Sequence, residues 1–579
     1  MTTATDFVPA DIDAGSWANV KPLFDDLLAR AIGSAAEYEA WLADRSELEA
    51  ACSEARADRY IAMSCDTEDK GKSDAYTAFV ESVAPELSRA AFQLDKRQAE
   101  LAQQFPLDAD RYAVLDRTTS AAVDLFRDEN VPLQTELDNL ATEYQAIIGS
   151  MMVEFRGEQR TLPQMATFLE DTDRAVREEA WRIVASRRLQ DKAKIDEVFD
   201  KQISIRDTVA RNAGEANFVG FAFREFNRFD YTPADCKAFH AAVEKHVVPF
   251  NRSLEERRRS ELGIDALRPW DLSVDPKGRA PLRPFTSGTD LISKSHHAFT
   301  QLDPRLAEML AELGDGSNTN GSADGAMLDL DSRQGKAPGG YQYMRDRRRE
   351  PFIFMNAAGL HRDVETMVHE AGHAFHSMVC RDEPLLAYRH SPIEFAEVAS
   401  MTMELLTMPY WGGEGGFYPN EADANRARRK QLEGSVSLLA WIATIDAFQH
   451  WIYENPKHTQ EQRTAAWLDL DSRFGASVDW SSLDDERAWL WQRQSHLFSH
   501  AFYYIEYGIA QLGALQLWMV SLDEGEEAAI DRYLRALKLG GSKPLPDLFA
   551  AAGLPFDFGE ATIGRVAERV TAELAKLPE

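Results

Sequence analysis

The sequence predicts a mainly α-helical protein, and two observations carry that prediction. Apolar residues recur at three- and four-residue intervals along most of the chain, as in Tyr38–Asp44 and Val176–Ala185. No fixed-period repeat or sustained heptad accompanies them, so the helices should pack as an irregular, multilayered bundle and not as a coiled coil or solenoid. At 579 residues, 44% hydrophobic and 27% charged, the chain can bury large cores. The expected organisation is an N-terminal helical lobe over residues 1–200 and a second domain over 201–579, with a shared interface.

From the N-terminus, Met1–Asp6 lacks the basic and apolar regions of a signal peptide, and no run of 18 or more apolar residues follows anywhere. A cytoplasmic location is expected. The balance of 64 Lys+Arg against 95 Asp+Glu gives a net charge of −31. That charge disfavours nucleic acid and anionic membrane as partners, because both require basic surface. Cys52, Cys65, Cys236 and Cys380 are scattered and show no Cys-x-x-Cys spacing. They indicate neither a disulfide framework nor a thiolate zinc site, and buried free thiols are expected.

The stretch Leu313–Gly325 is rich in turn formers and reads as a surface loop. After it, Gly340–Met344 and Pro351–Met355 form two short extended runs, expected to pair as a small β-ribbon. The charged stretch Arg345–Glu350 between them reads as a solvated tip without function. Gly339-Gly340 would allow close backbone approach, and the ribbon could offer an edge to an extended peptide.

The chemical centre follows. His369-Glu370-Ala-Gly-His373 has the His-Glu-x-x-His pattern in a helix-compatible stretch with Asp363 as its expected N-cap. Residues i and i+4 share a helix face, so two imidazoles can reach one zinc ion at ~2.0–2.1 Å. Glu370, between them, would stand beside the metal as general base for the attacking water. Downstream, Glu394, Glu397 and Glu404 compete as third ligand. Ser391-Pro392 followed by Glu394 suggests a capping box, which gives Glu394 a local task. Glu397 is therefore the expected ligand, with Glu404 supporting the site from the same face. The rival pattern, with Gly three residues and His six residues after the second histidine, is excluded because His376 and Val379 stand there. Near the C-terminus, His496, His500, Tyr503, Tyr504 and Tyr507 concentrate groups able to donate hydrogen bonds to an oxyanion, although such a cluster is more often core than catalytic.

Five collinear segments, Gly335–Gly340, Pro351–Asn356, His369–His376, Phe395–Met401 and Phe502–Gly508, resemble the thimet oligopeptidase and oligoendopeptidase F superfamily, closest to its oligoendopeptidase F branch. Met152–Leu162 and Arg177–Trp181 resemble that family's N-terminal lobe. The resemblance implies a two-lobed, clam-like, gluzincin-type helical metallopeptidase holding one zinc ion and cutting short, unstructured peptides. It places the metal ligands on His369, His373 and Glu397 and the base on Glu370, within the 201–579 domain. It places the substrate-binding groups on His496, Tyr504 and Tyr507, with Tyr503 as an alternative tyrosine. A peptide-binding protein without useful turnover, and a carboxypeptidase or dipeptidyl peptidase on a related scaffold, remain the competing readings. The oligomeric state is not legible.

Overall fold

The computed structural model describes residues 7–317, 327–333, 335–337 and 339–578. Helices dominate them, as the periodicity predicts. The stretch Tyr38–Asp44 lies within α1 (Ala35–Cys65), and Val176–Ala185 lies within a helix spanning Arg174–Gln190. Ser34 caps α1 by accepting the Glu37 N–H. A short hairpin, β1 (Met152–Phe155) with β2 (Glu158–Thr161), interrupts the helices. Next come α2 (Lys192–Asn212) and α3 (Pro233–Leu262). Residue 200 falls inside α2, and the larger apolar core runs on from Leu125 to Leu574. A smaller core gathers Val8 to Leu101 together with Leu385 and Tyr388.

The expected ribbon is present as β4 (Tyr341–Arg345) antiparallel to β5 (Glu350–Ala357), and it is larger than the sequence suggested. A further strand, β3 (Leu328–Asp331), adds to β5 in parallel, giving the order β3-β5-β4. β5 is central and apolar on both faces, whereas β4 forms an edge. The loop expected over Leu313–Gly325 lies, from residue 318 onward, outside the described residues.

The charged tip of the ribbon corrects the sequence reading. Arg345 is completely buried and its Nε donates to Asp58 of α1 at 2.9 Å. Asp346, also buried, accepts from the Ser53 hydroxyl at 2.6 Å and lies 3.0 Å from His390 Nε2. Arg348 reaches Glu54 and Asp58, and Arg347 donates to the carbonyls of Val8 and Pro9. The run therefore clasps the N-terminal helices to the ribbon. Burial is sustained because each charge meets an opposite one or a carbonyl.

Behind the ribbon lie α4 (His361–Cys380), α5 (Ile393–Leu406), α6 (Glu421–Glu454) and α7 (Tyr504–Glu524). α4 begins two residues before Asp363, which is thus not its N-cap. The Asp363 carboxylate instead turns back to accept the N–H groups of Ala358 and Leu360, satisfying donors that the helix start leaves open. α5 differs similarly from expectation. Ser391 bonds only to the Pro392 carbonyl, and Glu394 is buried, accepting from the Tyr231 hydroxyl at 2.8 Å. Glu394 thus has a structural partner, though not the expected one. All four cysteines are buried free thiols, as expected. Among the described residues no helix is long and apolar enough to cross a membrane.

Candidate metal centre and active site

α4 and α5 cross at Gly372, where the two backbones nearly touch. A Cβ there would lie 2.6 Å from both the Ala399 carbonyl oxygen and the Ser400 Cα, so only glycine permits this approach. The close crossing brings Glu397 opposite the histidine pair. His369 Nε2 is 3.4 Å and His373 Nε2 3.7 Å from Glu397 Oε2. Ligand atoms spaced this way can converge on one cation at ~2.0–2.2 Å, since tetrahedral ligands at that radius lie a little over 3 Å apart. Two imidazole nitrogens and one carboxylate oxygen suit zinc.

The surroundings orient these donors. His369 Nδ1 is 2.7 Å from Glu404 Oε1, which directs the other ring nitrogen toward Glu397. Gln431 Nε2 donates to the second Glu404 oxygen at 2.8 Å, and the Ser400 hydroxyl donates to Glu397 Oε2 at 3.0 Å. Burial by itself would lower the His369 pKa, but the Glu404 hydrogen bond and the Glu397 charge outweigh it and raise the pKa to about 10. For His373 burial prevails over the attraction of Glu397, and its pKa falls to about 4. The carboxylates thus favour positive charge at His369, while burial keeps His373 a neutral donor.

Glu370 lies on the same helix beside this set, and burial pushes its carboxyl up to about 7, against the opposing pull of His369. The Gln342 backbone in β4 also lowers the Glu370 pKa, and Gln342 Nε2 lies 3.4 Å from the Ser377 hydroxyl of α4. The unpaired edge of β4 therefore runs past the base. His376, one turn beyond His373, is buried and is not among the three converging ligands.

The C-terminal cluster divides into two groups. The Glu397 charge acts on the phenols of Tyr503 and Tyr507, and burial raises the pKa of both. Tyr504 is placed differently: burial raises its pKa too, but Trp441 and Gln494, themselves hydrogen-bonded at 3.0 Å, act on its phenol and lower it. Gln494 in turn lies 2.7 Å from His496 Nδ1, and the His496 ring meets Tyr504 edge-on at 5.1 Å. The expected set of His496, Tyr504 and Tyr507 is thus assembled, but the Glu397 charge acts on Tyr503 and is not among the influences on Tyr504. The cause is Phe502, whose backbone is left-handed at φ 68°. Gln449 Oε1 accepts its N–H at 2.5 Å, and Arg228 Nη2 donates to its carbonyl at 2.6 Å and to Glu506 at 2.7 Å. This turn sets Tyr503 just ahead of α7. The sequence offered one hint to it, the adjacent tyrosines; the Arg228–Glu506 pair that holds the turn joins residues 278 positions apart, which no local pattern links.

Comparison with known proteins places this geometry in a family. The model of "Peptidase family M3" matches residues 167–565, more than half of the sequence. The chain belongs to peptidase family M3. Oligopeptidase PepF of Bacillus subtilis (strain 168) is 30% identical over 212 residues, covering 35% of this chain and 30% of that protein. An oligoendopeptidase F homolog of Borreliella burgdorferi is 28% identical over 34% of each chain. These matches span about a third of the length of those curated relatives. Likeness to solved structures is more extensive: Pz peptidase A in complex with an inhibitor aligns with a TM-score of 0.86 and 27% identity over 99% of both chains. A structure described as an oligoendopeptidase F gives the same values. The M3 peptidase therefore has the mostly helical fold of the oligoendopeptidase F proteins.

Proposed function

We propose that this M3 peptidase is a zinc-dependent endopeptidase acting on internal bonds of short, unstructured peptides, with a single catalytic ion held by His369, His373 and Glu397. The observation that carries the reading is the convergence of these three donors, with a buried carboxylate, Glu370, on the helix that bears the two histidines. Bound there, zinc would supply Lewis acidity toward the scissile carbonyl and the attacking water.

The protein's own groups account for the remaining chemistry. Glu370, raised to about 7, is suited to take a proton from water and return it to the leaving amine. The open edge of β4 can pair with an extended peptide and hold its backbone beside Glu370. Tyr503 and Tyr507, both under the influence of the Glu397 charge, stay neutral donors because their raised pKa values keep the protons in place, and they can stabilise the developing oxyanion. His496 and Tyr504 form the layer behind them.

The test is incubation of the purified chain with peptides of about five to thirty residues and one folded protein, with and without chelator, read by mass spectrometry. Internal cuts in the peptides alone, abolished by chelation and restored by zinc, are expected. Binding without cleavage under any metal would favour a sequestering protein, and trimming only from the ends would favour an exopeptidase.

A further inference from the structure

A second cluster of metal-binding side chains lies outside the catalytic set. Cys236 and His240 stand four residues apart on α3, and Asp446 and His450 stand four residues apart on α6. The two helices pack against each other, so both pairs project into the same buried layer. The ligand atoms of Cys236, Asp446 and His450 all lie within 4.8 Å of one another. His450 Nε2 is 3.5 Å from Asp446 Oδ2, within the range that separates the catalytic ligands. His240 Nε2 is 2.7 Å from the same carboxylate oxygen.

Three polar atoms in this layer have no hydrogen-bond partner. Both ring nitrogens of His450 are unpaired although the residue is 2% exposed, and Oδ1 of the fully buried Asp446 is also unpaired. A buried polar atom without a partner costs ~1–3 kcal/mol, so three of them side by side call for an occupant. The nearest cation, Arg228, acts on Asp446 only through its charge: its Nη2 is bonded to Glu506 and the Phe502 carbonyl, and no hydrogen bond joins its guanidinium to the open Asp446 oxygen.

We propose that Cys236, Asp446 and His450 bind a second, structural divalent metal ion of the zinc type, with His240 holding the Asp446 carboxylate in place. Sulfur, imidazole and carboxylate donors together match zinc and its neighbours and do not suit magnesium or calcium. Binding displaces the Cys236 thiol proton to solvent. The resulting thiolate and carboxylate together neutralise a 2+ ion, so the occupied site carries no net charge. The site is next to Gln449, which holds the Phe502 N–H, and the His450 ring packs on Phe502 at 5.2 Å. The ion would therefore stiffen the turn that presents Tyr503. The inference does not depend on the peptidase reading, because no catalytic ligand takes part.

Cobalt(II) titration of the metal-free full chain tests it. The catalytic set contains no sulfur, so of the two sites only the second can produce a thiolate-to-cobalt charge-transfer band in the near ultraviolet, and Cys236→Ser separates it from the other three thiols. Two equivalents should bind, one of them developing this band. The band should persist in His369→Ala/Glu397→Ala and vanish in Cys236→Ser. Should Cys236→Ser fail to fold, His240→Asn serves instead and should weaken binding at the band-forming site about 10–100-fold. Binding of a single equivalent without a sulfur band, or a band that survives Cys236→Ser, would overturn the proposal.

Discussion

His369 Nδ1 and Glu404 Oε1 are 2.7 Å apart, although 35 residues separate them in the chain. The carboxylate fixes the tautomer and tilt of the imidazole from behind, and Gln431 fixes the carboxylate. Glu404→Gln should therefore lower zinc affinity about 10–100-fold while leaving saturated turnover much less affected. Competition with a chromogenic chelator measures this, and unchanged affinity would remove Glu404 from the site.

Removing only the base should separate binding from chemistry. Glu370→Gln should retain the metal and peptide affinity but lower kcat by about 10²–10⁴. Wild-type turnover in a metal-loaded variant would refute the assigned role.

The same residue predicts a pH profile. Glu370 acts as base only when ionised, and burial holds its pKa near 7, so kcat/KM should fall on the acid side with the uptake of one proton. Positive charge from a bound ion favours the carboxylate and moves this limb downward from about 7. A profile flat between about pH 8 and pH 4 would exclude Glu370 as base.

Two neighbouring tyrosines should respond unequally to loss of their hydroxyls. Tyr503→Phe should lower kcat by about 10²–10³, as for loss of an oxyanion donor, whereas Tyr504→Phe should cost less than about tenfold. The opposite ranking would restore Tyr504 to the position that the resemblance implied.

The clasp makes a prediction about stability. Arg345→Ala removes the buried partner of Asp58 and should cost about 1–3 kcal/mol, the lower part of the range for buried pairs because Asp58 remains 38% exposed. Urea denaturation followed by tryptophan fluorescence reads this as a lower midpoint. An unchanged midpoint would return the charged run to the solvated tip that its composition suggests.

These cases mark what the sequence could show. His369, Glu370 and His373 were legible because helical geometry relates residues four apart without reference to the rest of the fold. Glu397 and Glu404 could be ranked for the same reason, being two turns apart on one helix face. Tyr503 could not be ranked over Tyr504, because helical periodicity does not extend across the left-handed backbone at Phe502. The arginines of the ribbon tip were misread since their partners, Asp58 and Glu54, lie nearly 300 positions away, and composition carries no information about such pairing. Strand β3 escaped notice because Leu328–Asp331 is only four residues long.

Gly372 bears on the meaning of the motif itself. In His-Glu-x-x-His the two middle positions are written as free, yet here the second x is the point where α4 and α5 meet with no room for a methyl group. Search patterns that accept any residue at that place will therefore admit chains in which Glu397 could not be brought opposite the histidines. For this architecture the informative signature is His-Glu-x-Gly-His, in which a missing side chain specifies the geometry as firmly as the ligands do.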